Sequence, residues 1–133
     1  AYKIYRRIGD RCGIIGAGSM RNFMRDFHAG ARAYLVGVGS FFPRVAMAFH
    51  AALISGDTDR AHAIARKYED PYFDVAVDLG WHVQLKEMLS VFDLMPPFER
   101  APLPRLNPQQ IQQLQTLVEQ LGWSGRDPGH TPD

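Results

Sequence analysis

Apolar and polar residues recur along this chain with two different periods, and the switches between them lay out its elements. Residues 1 to 8 space their apolar positions as a helix does, and Gly9-Asp10 ends it. A short apolar run at 11 to 16 predicts a strand, and Ser19 is placed to cap a helix reaching His28. Gly30 turns the chain into a second run, Ala33-Tyr34-Leu35-Val36-Gly37-Val38, whose unbroken hydrophobicity predicts a buried strand closed by Gly39-Ser40. Pro43 suits the first turn of a helix with Val45, Ala48, Phe49, Ala52 and Leu53 on one face, stopped at Gly56. Asp57 or Thr58 then caps a further helix through Ala61, Ile64, Ala65 and Tyr68.

Beyond Pro71 the pattern stays helical. Segment 81 to 94 spaces Val83, Leu85, Met88, Leu89 and Phe92 by threes and fours until Met95-Pro96-Pro97 breaks it. Residues 98 to 106 form a proline-punctuated connector. Asn107-Pro108-Gln109-Gln110 is a helix start, with a capping Asn, Pro at the first helical position and Gln at the third. Ile111, Leu114, Leu117, Val118 and Leu121 give that helix its apolar face, and the composition of 124 to 133 predicts a disordered tail. The order is strand, helix, strand, helix, then further helices. Two parallel strands do not make a stable sheet, because parallel sheets are covered on both faces and need more strands. The chain therefore reads as incomplete, with strand–helix units over 1–56, a helical segment over 57–123 and a tail over 124–133.

Composition narrows the classes of function. A chain of 133 residues has room for one domain, and 46% hydrophobic with 22% charged residues is the balance of a globular protein. Fifteen basic against fourteen acidic residues leave a formal charge of +1, and no basic cluster exceeds Arg6-Arg7, so no nucleic-acid partner is expected. Apolar stretches such as 31 to 38 fall well short of the roughly 20 residues that span a bilayer, and the opening residues do not read as a secretory signal. A lone Cys12 permits no internal disulfide and fits a cytoplasmic location.

The stretch RCGIIGAGSMRNFM, residues 11 to 24, begins as a dinucleotide-binding fingerprint does. That fingerprint needs a third glycine for close helix–strand packing and an acidic residue after the next strand for the ribose. Arg21 stands at the third position, and Gly37-Val38-Gly39-Ser40-Phe41 carries no acid, so no cofactor is expected. Histidines 28, 50, 62, 82 and 130 show no metal-ligand spacing, and no metal site is expected. The lysines are Lys3, Lys67 and Lys86. Lys86 lies in an apolar helix, where burial can depress an amine's pKa toward that of a nucleophile, or where the side chain can pair with a carboxylate.

The segment GARAYLVGVGSFFPRVAMAFHAALISGDTDRAHAIARK, 30 to 67, resembles the last part of a (β/α)8 barrel of the dihydrodipicolinate synthase and N-acetylneuraminate lyase family. HVQLKEMLSVFDL at 82 to 94 and ERAPLPRLNPQQIQQLQTLVEQLGW at 99 to 123 are similar to its later helix, connector and closing helix. SFFPRVAMAF and YFDVAVDLGWHVQLKEM look more like its 5-dehydro-4-deoxyglucarate dehydratase members and related sugar-acid dehydratases or pyruvate aldolases than like the lysine-biosynthesis enzyme. The resemblance implies an α/β fold: the last two strand–helix units of a TIM barrel plus C-terminal helices, an incomplete barrel. It implies a cytoplasmic class I lyase, an aldolase or dehydratase acting on a pyruvate-type or sugar-derived 2-keto acid, without a cofactor. The Schiff-base lysine of such an enzyme lies on the sixth strand, upstream of Ala1, so no catalytic residue is assigned here. Barrel chemistry sits at the C-terminal ends of the strands. Gly18, Ser19, Val38, Gly39 and Ser40 are accordingly the substrate-lining candidates, with Ser19 and Ser40 equally suited to capping helices. The family's Gly-Asp-Asp appears as Gly18-Ser19-Met20 and its strand-eight Asn as Ser40, which leaves the substrate open. The partners implied are the 2-keto acid, the N-terminal part of the same protein and further copies in a tetramer, without nucleic acid or membrane. The alternative is a non-catalytic helical module derived from such a barrel.

Overall fold

A computed structural model describes residues 2–123, so the tail expected at 124–133 lies outside the described residues. Helix α1 (Tyr2–Ile8) buries none of its residues. At its end the amides of Arg11 and Cys12 both donate to the Ile8 carbonyl, at 2.9 and 2.8 Å. That turn consumes the first residues expected to be extended, and strand β1 runs over Ile15–Gly18 rather than 11–16. Helix α2 (Met20–His28) follows, and strand β2 covers Ala33–Val36 rather than 33–38. The second strand stops early because the chain bends at Gly37, whose backbone lies against a ring from much later in the sequence. A Cβ on Gly37 would sit 2.6 Å from Cζ2 of Trp81. Residues Val38–Ser40 then form a 3₁₀ turn, with the Val38 side chain in the core.

The two strands pair in parallel, from Ile15 opposite Ala33 to Gly18 opposite Val36. One face, carrying Gly16, Tyr34 and Val36, packs on helices. Phe23 of α2 stacks on Tyr34 at 4.3 Å, and the His50 ring lies parallel to Tyr34 at 6.0 Å, its Nε2 2.9 Å from the Arg32 carbonyl. The other face is bare: Ile15 is 62% and Leu35 69% exposed. The expectation of buried strands is thus corrected to a half-covered sheet. An unbroken apolar run does not say whether both faces are covered.

Helix α3 (Pro43–Ser55) buries Val45, Phe49, Ala52 and Leu53, while Ala48 is only half-buried, and the helix ends at Gly56. Asp57, not Thr58, caps α4 (Thr58–Ile64), its carboxylate accepting the Arg60 amide at 3.0 Å. The same helical run continues through a π-helical stretch, Ala65–Glu69, into α5 (Asp70–Leu79), with the Asp70 amide donating to the Ala65 carbonyl five residues back. Helix α6 (Trp81–Val91) closes before residue 94, because Asp93 takes a left-handed φ of 55° and the Leu94 amide returns five residues to the Leu89 carbonyl at 2.8 Å.

Asn107 begins α7 (Pro108–Gln120) as read from the sequence. Its side chain accepts the Gln110 amide at 2.9 Å, while the Gln110 side chain accepts the Asn107 amide at 2.9 Å. Leu114 and Val118 bury against the packed α5 and α6. Replacing Asn107 by alanine is expected to cost about 1 kcal/mol, read as a lowered urea midpoint with unchanged slope. Beneath the 3₁₀ turn, Phe41, Phe42, Tyr68, Phe92 and Trp123 form an aromatic core. No described helix is long and apolar enough to cross a membrane.

Candidate functional site

Parallel pairing in register brings the C-terminal ends of β1 and β2 to the same edge of the sheet. Each end is followed by a helical turn, so the residues just past the strands, Gly18-Ser19 and Val38-Gly39-Ser40, stand on one side of the molecule. Gly18 leaves the sheet at a φ of 104°, a backbone conformation that favours glycine. Ser19 caps α2, its Oγ accepting the Asn22 amide at 3.0 Å, a bond that leaves the hydroxyl proton for another acceptor. Ser40 is exposed, Gly39 half-buried and Val38 wholly buried, so Val38 can offer that edge only its backbone.

Behind the first of these turns lies an arrangement that sequence reasoning missed. Glu69, 1% exposed, reaches from the π-helical stretch to the start of α2. Its Oε1 accepts the Met20 amide at 2.6 Å and its Oε2 the Arg21 amide at 3.2 Å. Leading amides of a helix have no partner within it and carry its positive dipole end, which makes them a seat for an anion. Here the chain's own carboxylate occupies the place that a pyrophosphate takes in a dinucleotide fold. Arg21, at the fingerprint's missing third glycine, forks onto the neighbouring Asp70, with Nε 2.6 Å from Oδ1 and Nη2 bonded to Oδ2.

The charges follow from these contacts. Burial pushes the Glu69 carboxyl above its ordinary value, against the pull of the Met20 and Arg21 amides. The bond from Arg21 holds Asp70 below its ordinary value. Tyr34 is raised, first by burial and then by the negative charge of Glu69. Nothing local announces Glu69 in the sequence, because its partners lie 48 and 49 residues away.

Lys86 pairs rather than standing as a free amine. Its Nζ lies 3.1 Å from Glu99 Oε2 and 2.9 Å from the Phe98 carbonyl, tying α6 to the connector. Among the described residues no three His, Cys, Asp or Glu side chains converge on a point where they could hold a metal ion. The described residues include an open groove of about 660 Å³ against Tyr34, Val36, Met47, His50 and Ile54 and another of about 540 Å³ between α5 and α7. Neither is lined by the strand-end residues.

The fold around these strand ends is shared with part of a solved structure. A crystal structure described as a "putative dihydrodipicolinate synthetase from Pseudomonas aeruginosa" superposes with a TM-score of 0.74 at 22% identity, covering 90% of this chain and 41% of that one. In sequence the chain is similar to the "Probable 5-dehydro-4-deoxyglucarate dehydratase" of Variovorax paradoxus (strain S110) and to that of Delftia acidovorans (strain DSM 14801 / SPH-1), each 28% identical over 125 residues. Those matches take in 90% of this chain and 41% of each relative, so the chain spans well under half the length of the curated relatives it matches. No protein-family model matches it. The resemblance carried by residues 30–67, 82–94 and 99–123 is therefore found again in both comparisons, down to the dehydratase members named from it.

Proposed function

We propose that these residues form two strand–helix units and the closing helices of a (β/α)8 lyase acting on a 2-keto acid, with 5-dehydro-4-deoxyglucarate as the leading substrate. The observation that carries this reading is the half-covered sheet. Its bare face presents Ile15, Ala17, Ala33 and Leu35, apolar side chains of the kind that fill a barrel interior, and each strand has only one partner among the described residues. Parallel sheets are covered on both faces, so the remaining strands of a barrel are the natural cover. The dehydratase relatives and their greater length support the same reading.

In such a barrel the chemistry belongs to a lysine supplied from outside these 133 residues. Its amine condenses with the substrate's keto group, releasing water, and the protonated imine accepts the electron pair left when the neighbouring carbon loses a proton. The hydroxyl group on the next carbon then leaves, taking up a proton to depart as water, and hydrolysis of the imine restores the keto group and frees the lysine. This chain's part is recognition. The Gly18-Ser19 and Val38-Gly39-Ser40 ends let the substrate approach the backbone closely, and the hydroxyls of Ser19 and Ser40 hydrogen-bond to its hydroxyl groups. Gly18, Ser19, Val38, Gly39 and Ser40 are the residues proposed to line the site.

The test is reduction with borohydride in the presence of pyruvate, carried out on the protein at its full encoded length. The expected result is a stable adduct on a lysine outside residues 1–133, and none on Lys3, Lys67 or Lys86. The 133-residue chain alone should trap nothing. An adduct on Lys86, or no adduct on the full-length protein, overturns the proposal, and the second result would favour a non-catalytic module.

A further inference from the structure

We propose that Glu69 is the positioning residue of the strand-end turn: by accepting the first two amides of α2 from a different helix, it sets where Gly18 and Ser19 stand. That this turn lines a substrate site rests on the function proposed above; that Glu69 holds it does not.

Three observations converge on this role. Ser19 already caps α2 locally through the Asn22 amide, so Glu69 is not needed to start the helix. What Glu69 adds is a tether between elements: both its oxygens bind amides of the turn, across 48 and 49 residues of sequence. Second, the tether is doubled outside the core, where Arg21 forks onto Asp70, the next residue of the same run. The two adjacent acids thus grip two adjacent residues of α2. Third, the grip depends on the π-helical stretch, since Glu69 is its last residue. Gly18, with its left-handed φ, is the pivot between this clamped helix and β1. A clamp on one side of a permissive pivot fixes where the pivot's amide and the Ser19 hydroxyl stand.

Both carboxylate-to-amide bonds are charge-assisted, the one from Met20 buried and the one from Arg21 partly so, and such bonds are stronger than neutral ones. Protonating Glu69 removes the charge from its bonds to the Met20 and Arg21 amides, and burial places that titration above the ordinary carboxylate range. The groups facing it are Arg21 on α2, Asp70 on α5 and Tyr34 on β2, with Arg66 of its own stretch acting on Asp70.

The experiment, on the protein at its full encoded length, compares wild type, Glu69→Gln and Glu69→Ala by amide hydrogen exchange and by amide NMR shifts across pH, alongside KM and kcat for 5-dehydro-4-deoxyglucarate. In the alanine variant the Met20 and Arg21 amides are expected to exchange about tenfold faster or more, with those of α7 unchanged. Glutamine, which keeps one carbonyl acceptor, falls between. In wild type the two amide shifts titrate together at a midpoint above the ordinary carboxylate range, and in the glutamine variant that titration disappears. KM rises severalfold in the variants while kcat moves less. Unchanged exchange at Met20 and Arg21 in the glutamine variant, or a titration that survives in it, overturns the proposal even if the alanine variant does not fold. Faster exchange with an unchanged KM shows that Glu69 holds the turn but that the turn does not bind substrate. A wild-type protein that does not act on the probe sinks the proposed function, and the amide results still decide the role of Glu69.

Discussion

Phe42→Ala is expected to lower the unfolding free energy by about 3–5 kcal/mol, a large share of the 5–15 kcal/mol that a domain of this kind possesses. The ring is wholly buried where the 3₁₀ turn meets the later helices. It packs edge-on against Phe41 at 4.7 Å and Trp123 at 5.1 Å, and it touches Phe92 at 5.1 Å and Tyr68 at 6.0 Å. Truncation removes its transfer energy and leaves a cavity walled by rigid rings, which collapse poorly. Edge-to-face pairing contributes further, about 0.5–1.5 kcal/mol per pair. Urea unfolding followed by tryptophan fluorescence measures the loss. Val77→Ala, at a position 76% exposed on α5, is the control and is expected to change stability by less than about 0.5 kcal/mol. A comparable loss in both variants would mean that the aromatic cluster is not the core described above.

The second large effect belongs to the tie between α6 and the connector. Lys86→Met strands the Glu99 carboxylate, whose side chain is 4% exposed and whose Oε1 has no hydrogen-bond partner among the described residues. Removing one partner of a buried ion pair leaves an uncompensated charge and costs about 3–5 kcal/mol, more than the intact pair contributes. Because the lysine end of the pair is partly exposed, the lower part of that range is expected. The discriminating measurement is the double variant Lys86→Met with Glu99→Gln, which discards both charges and should recover at least half of the loss. A double variant as unstable as the single one would show that Lys86 contributes through packing of its stem rather than through charge.

What could be read from the sequence was whatever is decided within a few residues. The Asn107, Ser19 and Asp57 caps depend on side chains reaching their own helix, and the Gly56 stop on a left-handed backbone that glycine adopts, so each is settled locally. The strand limits were displaced for non-local reasons. Arg11 and Cys12 are held by the end of α1, and Gly37 is turned out of the sheet beneath Trp81, a ring that no window around residue 37 contains. The bare face of the sheet was not legible either, since Ile15 and Leu35 look like core residues to any scale of hydrophobicity. In the candidate site the strand ends came from the resemblance to a barrel, applied to the glycine and serine that follow the apolar runs. Glu69 did not, because the amides it serves belong to a turn whose own spacing looks complete without it.

The π-helical stretch makes chain length itself a determinant of this site. A π-helical stretch holds one residue more than the regular turn it widens, so a deletion between Ala65 and Glu69 would close that turn and shift the residue at its end, Glu69. The bonds from Met20 and Arg21 would be disturbed although no side chain had been altered. An insertion or deletion here is therefore worth more attention than most substitutions when related sequences are aligned: two homologues that keep both acids but differ by one residue in this helix do not share the same clamp.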